Sequence, residues 1–452
     1  MKNPDDILKS IQKSGAAKVL IAITDIDGIL RNKLISKEKF LKTAGSKLGF
    51  CNVVFGWDMN DAVYDNSEVT GWHTGFPDSM VSIDLSTLRE IPWNNNTPLL
   101  LGDFSESENL AEVCPRSLLK KIKQQSIDMG FKPMFSNEFE WFNFRETPQS
   151  LKEKNYTNPT PLTPGMFGYS MLRSSQNKDF FNDIYDLMRK FKVPLEGLHT
   201  ETGDGVYEAC IEYSDVLEAA DRAVLFKTGI KEIAYQHEII ASFMAKWNIN
   251  LPGCGGHIHQ SLWDEDSENN LFFDGNKDHK MSALLEHYLA GLLHCLPHIT
   301  AMYAPTVNSY KRLVEGSWAA TTVSWGVENR TTALRVVNHG AESMRLETRV
   351  PGADANPYLA MAASLASGLY GIKHKLPLNI KPTIGNEYDN KPSEKLPKTL
   401  AEAIRNMKTS KIANELFGEE FVSHFIKTRE WEWNQFSNSV TDWEMKRYFE
   451  II

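Results

Sequence analysis

The sequence predicts an α+β protein with a small N-terminal domain and a larger C-terminal one. Its 452 residues exceed what one ordinary compact core holds. The first hundred residues contain short strand-like apolar runs, in AKVLIAITDIDGIL, NVVFGWD and SMVSIDL. Beyond them, strand patterns alternate irregularly with long helical ones. We place the domain boundary near residues 105–113 and assign residues 1–108 and 109–452 to the two domains.

Four segments predict helices. PRSLLKKIKQQSIDMG begins with Pro115, which suits a first turn, and ends at Gly130. The stretch SDVLEAADRAVLFKTGIKEIAYQHEIIASFMAKW predicts one long amphipathic helix or a close pair. In ANPYLAMAASLASGLYGI, Asn356 is a suitable N-cap. The apolar run from Leu284 to Tyr303 is interrupted by polar residues, so it predicts a buried helix and not a membrane span.

Composition narrows the functional class. A hydrophobic fraction of 42% and a charged fraction of 24% are typical of a globular protein. The net charge of −9, without a basic tract, argues against nucleic acid or an anionic membrane as a partner. Five scattered cysteines fit neither a disulfide framework nor a structural zinc site. The start, MKNPDDILKS, has acids where a signal peptide is apolar, so we expect a cytoplasmic protein.

Four segments bring together charged side chains suited to metal binding. They are Glu138 and Glu140 in MFSNEFEWFNF, Glu201 and Glu208 in LHTETGDGVYEACIEY, His257 and His259 in GCGGHIHQSLW, and Arg345, Glu347 and Arg349 in MRLETRVPG. In the strand patterns, residues two apart share one face. Surface ion pairs would explain any one segment alone. Four such segments among large apolar residues instead predict acids that need a cation, and mostly oxygen ligands with one imidazole suit Mg²⁺ or Mn²⁺.

Arginines supply a second feature of the same region. They are Arg312, Arg330, Arg335, Arg345 and Arg349. Guanidinium groups bind carboxylates and phosphates through paired hydrogen bonds, so arginines beside metal ligands favour phosphoryl transfer. A solvated basic face is the alternative, but the aliphatic neighbours in TTALRVV and RLETRV argue against it. Neither GxxxxGK[ST] nor GxGxxG occurs, so a P-loop or dinucleotide fold does not explain the phosphate chemistry.

At these residues the sequence resembles the glutamine synthetase family, over nearly the whole chain and most densely from 131 to 372. The resemblance implies an N-terminal β-grasp domain and a large catalytic domain with a curved antiparallel sheet flanked by helices. It also implies a glutamate–amine ligase that consumes ATP and forms γ-glutamyl phosphate. Its partners would be glutamate, ATP and an amine. The family's active sites lie between subunits of stacked hexameric rings, so we expect a homo-oligomer, a dodecamer.

The resemblance also implies a role for each motif residue. The implied metal ligands are Glu138, Glu140, Glu201, Glu208, His257 and Glu347. The implied nucleotide contacts are His259, Ser261, Arg330 and Arg335. The implied substrate contacts are Gly253, Arg312 and Arg349 for glutamate or phosphate, with Tyr169 near the amine. Arg312 and Arg330 would also act in catalysis.

The sequence departs from the family where ammonium would bind. In the flap segment (residues 314–320), Trp318 replaces the family's glutamate, and Glu315 lies three residues earlier as a catalytic substitute. Asp58 is the candidate for the N-terminal aspartate, and Pro252 replaces an asparagine that contacts glutamate. Indole offers an apolar or cation–π wall, although it could also simply pack the flap closed. The pattern resembles γ-glutamylpolyamine and γ-glutamylalkylamide synthetases, with an ammonia-using glutamine synthetase as the alternative.

Two other classes compete with a ligase. A non-catalytic family member should lose metal ligands first, yet all six candidates are present. A metallohydrolase would need neither the arginines nor ATP. Tyr388 lies where some bacterial members are adenylylated, but a plain loop tyrosine fits its surroundings better. The sequence does not identify the amine.

Overall fold

A computed structural model describes residues 3–43, 47–105, 107, 110–266, 268–390 and 394–452. The predicted boundary between residues 108 and 109 lies outside the described residues. Within these ranges the strands form two sheets, one of five strands and one of nine. The five-stranded sheet consists of β1 (Lys18–Thr24), β2 (Leu30–Ser36), β3 (Leu48–Cys51), β4 (Asp78–Ile91) and β5 (Thr97–Asp103).

The nine-stranded sheet follows along the chain. Its strands are β6 (Lys132–Phe144), β7 (Leu195–Thr200), β8 (Val206–Ile211), β9 (Ser214–Asp215), β10 (Ile240–Ser242), β11 (Gly256–Trp263), β12 (Trp325–Val327), β13 (Leu334–Val337) and β14 (Arg345–Thr348). The order is β12-β13-β14-β11-β6-β8-β7, with β9 and β10 also pairing with β6. The pairs are antiparallel except β12 with β13.

Helices surround both sheets. Those of the described residues are α1 (Pro4–Lys13), α2 (Lys37–Thr43), α3 (Pro115–Asp128), α4 (Pro148–Glu153), α5 (Met171–Gln176), α6 (Lys178–Lys190), α7 (Val216–Gln236), α8 (Ala283–Tyr303), α9 (Ser309–Arg312), α10 (Pro357–Lys373), α11 (Leu400–Lys408), α12 (Lys411–Phe417), α13 (Glu419–Ser437) and α14 (Asp442–Tyr448). None of them is long and apolar enough to cross a membrane.

The small sheet has the order β2-β1-β5-β4-β3, in which β1 is antiparallel to β2 and parallel to β5. Helix α1 packs on it through Ile7 and Ile11, in one apolar cluster with Ile21 of β1. The strand predicted in NVVFGWD is wrong, because Asn52–Phe55 form a 3₁₀ turn. Val54 and Phe55 are buried there all the same, so the apolar run reflects burial and not a strand.

One face of the large sheet is an apolar core. The Phe139 ring of β6 stacks on Phe226 of α7 with ring centroids 5.9 Å apart. Trp141, two residues along β6, packs against Phe226 and Phe243 at 5.5 and 5.9 Å. Helix α10 lies against α8, α3 and α7. Because side chains alternate along a strand, this core leaves Glu138 and Glu140 on the opposite face.

Three of the predicted helices are confirmed as α3, α8 and α10. Asn356 caps α10 by accepting a hydrogen bond from the Tyr358 N–H. The fourth prediction, a helix or helix pair over 214–247, is partly wrong. Helix α7 ends at Gln236, Glu238 adopts a left-handed conformation with φ of 57°, and the chain enters β10. The pairing of β10 with β6 provides backbone hydrogen bonds in place of a second helix.

Candidate active site

Strand register gathers the predicted metal ligands on one face of the large sheet, which we call the acidic face. In the β6–β11 pair, Glu138 lies opposite His257. In the β11–β14 pair, His259 lies opposite Glu347. Because directly opposed residues of antiparallel strands project to the same side, these four side chains meet although they are far apart in sequence.

The same rule extends the acidic face to β7 and β8. Glu140 lies opposite Glu208 in the β6–β8 pair, and Glu208 lies opposite His199 in the β7–β8 pair. Glu201 follows the end of β7 directly. Glu140 also accepts a hydrogen bond from the Gly255 N–H at 2.5 Å. All six predicted metal ligands therefore lie on or beside one continuous surface.

The first cluster of possible ligands consists of Glu138, His259 and Glu347. The Glu138 Oε2 atom lies 3.2 Å from His259 Nε2. The predicted ligand His257 is adjacent, with Nδ1 3.6 Å from Glu138 Oε1 and 3.5 Å from Glu347 Oε1. That nitrogen is buried and has no hydrogen-bond partner among the described residues. A buried, unpaired ring nitrogen beside two carboxylates fits a divalent cation.

Arginines keep the first cluster ionised. Glu347 is fully buried and receives Arg335 Nη1 at 2.9 Å and Arg349 Nη1 at 2.5 Å. Burial raises the pKa of Glu347, but Arg349 and the two histidines outweigh it and lower this pKa to about 2. For Glu138, burial is likewise outweighed, by its contacts with Glu208, His257 and His259, and the pKa is held well below its usual range. Both carboxylates can therefore meet a cation without losing a proton.

The second cluster consists of His199, Glu201 and Glu208. His199 Nδ1 lies 3.8 Å from Glu201 Oε2, and its Nε2 lies 3.7 Å from Glu208 Oε2. Burial, then the hydrogen bond with Glu138 and the neighbouring carboxylate charges, raise the pKa of Glu208 far above its usual range. A divalent cation would offset this crowding of negative charge, so the donor set fits one.

Two residues predicted to hold glutamate lie side by side at the edge of the acidic face. Arg312 is buried, donates to the Val350 carbonyl oxygen at 3.1 Å and approaches His257 Nε2 at 3.4 Å. A Cβ atom on Gly253 would lie 2.4 Å from the Ala245 oxygen and 2.9 Å from Arg312 Cγ. Only glycine at position 253 therefore leaves Arg312 where it lies.

Arg349 connects the first cluster to the flap segment. Its Nε donates to the Arg330 carbonyl oxygen at 3.2 Å, and its Nη2 donates to the Trp318 carbonyl oxygen at 3.5 Å. Trp318 has a left-handed backbone with φ of 60°, and its side chain is 65% exposed. The Tyr388 hydroxyl donates to the Ala319 carbonyl at 3.0 Å, which fastens a second loop to the flap.

A cavity of about 370 Å³ adjoins the first cluster and contains two of the predicted nucleotide contacts. Its charged or polar lining includes Glu138, Cys210, His259, Ser261 and Arg345. Ser261 Oγ accepts a hydrogen bond from Trp263 Nε1 at 2.9 Å. The other two predicted nucleotide contacts lie elsewhere: Arg335 is paired with Glu347 and Glu328, and Arg330 is exposed.

Three predicted residues lie on the periphery. Glu315 is exposed and forms an ion pair with Lys395 at 2.6 Å. The carboxylate of Asp58 accepts backbone hydrogen bonds within its own loop and a further hydrogen bond from Trp431 Nε1 at 2.9 Å. Tyr169 is 74% exposed and stacks on His199 with ring centroids 4.5 Å apart. Of these three, only Tyr169 contacts a cluster residue in the described contacts.

Sequence reasoning missed His199, which the structure places in the second cluster. The signal was present, because His199 and Glu201 are two residues apart in LHTET, the spacing that singled out the other segments. It also missed Cys210, whose Sγ lies 3.2 Å from Glu138 Oε2, and Glu328, which binds Arg335 at 2.6 Å. Cys210 lies two residues after Glu208, and Glu328 lies two residues before Arg330, so the same spacing was present in both segments.

Comparison with known proteins identifies a family and several relatives of the chain. The model of the glutamine synthetase catalytic domain matches residues 112–448. The type-1 glutamine synthetase 2 of Dictyostelium discoideum is 51% identical over 100% of this chain and 87% of its own length. The glutamate–isopropylamine ligase of a Pseudomonas species is 37% identical over 100% and 99%. The solved structure of a GmaS/ADP complex superposes with a TM-score of 0.85 at 27% identity, covering 98% and 99% of the two chains.

These similarities confirm the predicted fold class and the carbon–nitrogen ligase class. The family is ATP-dependent and uses divalent metals. The match covers the whole catalytic sheet and its helices, from α3 to α14. The chain belongs to the glutamine synthetase family.

Proposed function

We propose that the protein joins the γ-carboxylate of glutamate to an organic amine at the expense of ATP. The observation that carries this proposal is the acidic face, with its two clusters and paired arginines, next to a flap that presents Trp318 instead of an acid. The acidic face supports activation of a carboxylate by phosphoryl transfer. The flap supports an amine larger than ammonia.

The acidic face would hold two divalent ions, Mg²⁺ or Mn²⁺. We assign Glu138, His257 and Glu347 to one ion, and Glu140, Glu201 and Glu208 to the other. Ions bound there would neutralise phosphate charge, which is the main electrostatic demand of phosphoryl transfer. The short separation of Glu138 from both histidines supports a first site that already holds its ligands in place.

The remaining residues would orient the substrates. Arg312 and Gly253 would hold glutamate, and Arg330, Arg335 and Arg349 would contact phosphate. A γ-carboxylate oxygen attacks the terminal phosphorus of ATP, ADP leaves, and γ-glutamyl phosphate forms. The amine nitrogen then attacks the acyl carbon, phosphate leaves, and the nitrogen loses one proton. His259 and Ser261, in the adjoining cavity, would contact the nucleotide.

The flap supports an organic amine as the second substrate. Trp318 lines a cavity of about 640 Å³ together with Val327, Arg330, Pro382 and Ile384. Ile384 is 96% exposed, so the cavity is open on this side. The apolar part of the wall favours an alkyl or aryl substituent, and Glu328 and Arg330 line the same cavity as charged groups. The similarity to a glutamate–isopropylamine ligase over the whole chain supports the same conclusion.

A glutamine synthetase that uses ammonia is the second candidate. The 51% identity to a protein named type-1 glutamine synthetase 2 favours it. In that case Glu315 or Asp58 would have to supply the missing acid. Their described contacts, with Lys395 and Trp431, do not place either one beside the clusters.

We further propose stacked hexameric rings, a dodecamer with active sites shared between subunits, and the division into residues 1–108 and 109–452. The exposure of Tyr169 and Trp318 beside the clusters supports a site completed by a second copy. A cytoplasmic location is also proposed, and five free cysteines support a reducing compartment.

Phosphate release tests the proposed function. The assay contains the full chain, ATP, Mg²⁺ and glutamate, with ammonia, methylamine, isopropylamine, ethanolamine, putrescine, spermidine or aniline. We expect an organic amine to exceed ammonia in kcat/KM by at least about tenfold, the discrimination that a pocket for one or two carbon atoms provides. Ammonia as the best substrate would instead establish the second candidate. Absence of phosphate release with every amine would refute a glutamate ligase of this specificity.

A further inference from the structure

His199 has a hydrogen-bonding arrangement that leaves one ring nitrogen open. Its Nδ1 lies 3.2 Å from the Thr200 carbonyl oxygen. A carbonyl oxygen only accepts hydrogen bonds, so Nδ1 must carry the proton and donate. In the neutral ring, Nε2 then carries a free lone pair. That atom faces Glu208 Oε2 at 3.7 Å, which is too long for a hydrogen bond.

Two further contacts fix the direction of the ring. The backbone of His199 lies opposite Glu208 in the β7–β8 pair, so both side chains leave the sheet on the same side. The Tyr169 ring covers one face of the imidazole at 4.5 Å, with 30° between the ring planes. The Nε2 lone pair is therefore held toward Glu208, while Nδ1 is the ring nitrogen that lies 3.8 Å from Glu201 Oε2.

We propose that His199 Nε2 is a ligand of the ion held by Glu201 and Glu208, an inference that rests on the metal role proposed for those two carboxylates. Histidines that bind metals commonly donate their other ring N–H to a carbonyl or carboxylate, as His199 does to Thr200. A cation between Nε2 and Glu208 Oε2 fits their separation of 3.7 Å, which is too long for a direct hydrogen bond.

An imidazole ligand from His199 would change which metal ion the second site prefers. A site of carboxylates alone suits Mg²⁺, whereas an imidazole nitrogen raises the relative affinity for Mn²⁺ and later transition metals. With His257 assigned to the ion held by Glu138 and Glu347, each ion would have one nitrogen donor. The protein should therefore bind two Mn²⁺ ions, each with a nitrogen ligand, and should prefer Mn²⁺ to Mg²⁺ at both sites.

Mn²⁺ binding to the full chain tests the proposal without ATP, glutamate or amine. Free Mn²⁺ is followed by electron paramagnetic resonance, and bound nitrogen ligands are detected by pulsed measurements of ¹⁴N coupling. We expect His199→Gln to weaken the second Mn²⁺ site by roughly 10- to 100-fold and to remove its nitrogen coupling. His237→Gln is the matched control, because that ring pairs with Asp183 at 2.8 Å.

A second variant keeps the test decisive if His199→Gln does not fold. His199→Asp restores a charged oxygen donor, so it should bind two ions but lower the ratio of Mn²⁺ to Mg²⁺ affinity at the second site. Unchanged second-site affinity and coupling in both variants would overturn the proposal, as would wild-type protein that binds only one ion. Because no substrate is present, failure of the amine assay would leave this result standing.

Discussion

The acidic face and the flap segment lie next to each other but are built differently. The acidic face stands on β6, β8, β11 and β14, where register fixes each side chain against an apolar core. Glu347 there is fully buried between two arginines. The flap is a loop whose Trp318 side chain is 65% exposed and whose Glu315 is paired with a lysine at the surface.

We therefore expect the acidic face to carry out the chemical steps and the flap to select the substrate. Residues on paired strands keep precise distances, which metal ions and phosphate transfer require. Residues on loops can be exchanged without disturbing the core, so a change of substrate is most easily made there. In this chain five of the six predicted ligands lie on strands and Glu201 directly follows β7, while the predicted departures fall in loops, at the flap, at Pro252 and at Asp58.

A substitution of Glu347, at the buried end of the acidic face, should lower kcat more than the other substitutions below. Glu347→Gln keeps the size of the side chain but removes the charge that holds Arg335, Arg349 and a cation. We expect kcat to fall by roughly 100-fold or more, which corresponds to about 2.7 kcal/mol of barrier. Phosphate release at saturating substrates measures it. Glu212→Gln, at an exposed position, is the control, and a kcat within about threefold of wild type would remove Glu347 from the site.

A substitution of Gly253, where the backbone approaches Arg312, should have a moderate effect on the KM for glutamate. In Gly253→Ala, the added methyl would lie 2.4 Å from the Ala245 oxygen and 2.9 Å from Arg312 Cγ. We expect the KM for glutamate to rise by about tenfold, equivalent to about 1.4 kcal/mol, with a smaller change in KM for ATP. Gly275→Ala, whose nearest contact would be an ordinary 3.5 Å, should leave both values near wild type. Equal changes in both values would argue against a glutamate site at Gly253.

A change at the flap should alter selectivity more than rate. Trp318→Ala removes the exposed indole from the cavity of about 640 Å³. We expect kcat/KM for the preferred organic amine to fall by about tenfold while the value for ammonia changes by less than about threefold. Trp318→Phe keeps an aromatic wall and should retain most of the preference. If both substrates lose rate equally, Trp318 packs the flap and does not select the amine.

The smallest effect is on the free energy of unfolding, and it concerns Lys227, which lies on the apolar side of β6. Lys227 of α7 is buried, donates to the Ala355 carbonyl oxygen at 3.1 Å and lies over the Phe139 ring. Burial, reinforced by the charge of Lys231, lowers the pKa of Lys227 to about 7, although Asp354 opposes the shift. Above pH 7 the unfolded chain therefore binds a proton that the folded chain does not. Stability should rise with pH until about pH 10, near the ordinary lysine pKa.

Lys227→Met should remove this dependence of stability on pH. Between pH 7 and 9, the unfolding free energy of the wild type should rise relative to Lys227→Met by up to about 1.4 kcal/mol per pH unit. Urea denaturation at pH 7, 8 and 9 measures it, with Lys9→Met, at an exposed position of α1, as the control. Parallel stability curves for wild type and Lys227→Met would show that Lys227 stays charged in the folded protein.

The sequence by itself determined which segments carry the chemistry. Alternating patterns marked Glu138, Glu140, His257, His259 and Glu347, because acids and imidazoles at period two beside large apolar residues need a shared interior cation. Helices α3 and α10 were predictable because their start signals are local, Pro115 in the first turn of α3 and the Asn356 side chain that caps α10. Where local pattern and tertiary pairing compete, prediction failed, as at the end of α7, where pairing with β6 forms β10.

Only the tertiary structure decided which of these segments meet. Strand order places β11 between β6 and β14, and no sequence pattern states that order. Strand pairing also brought His199 beside Glu208, whereas the paths of loops and helices brought Glu315 to Lys395 and Asp58 to Trp431. Each of these contacts joins residues that are not neighbours in sequence. Local periodicity tells which face a side chain occupies, but register and loop paths determine what it faces.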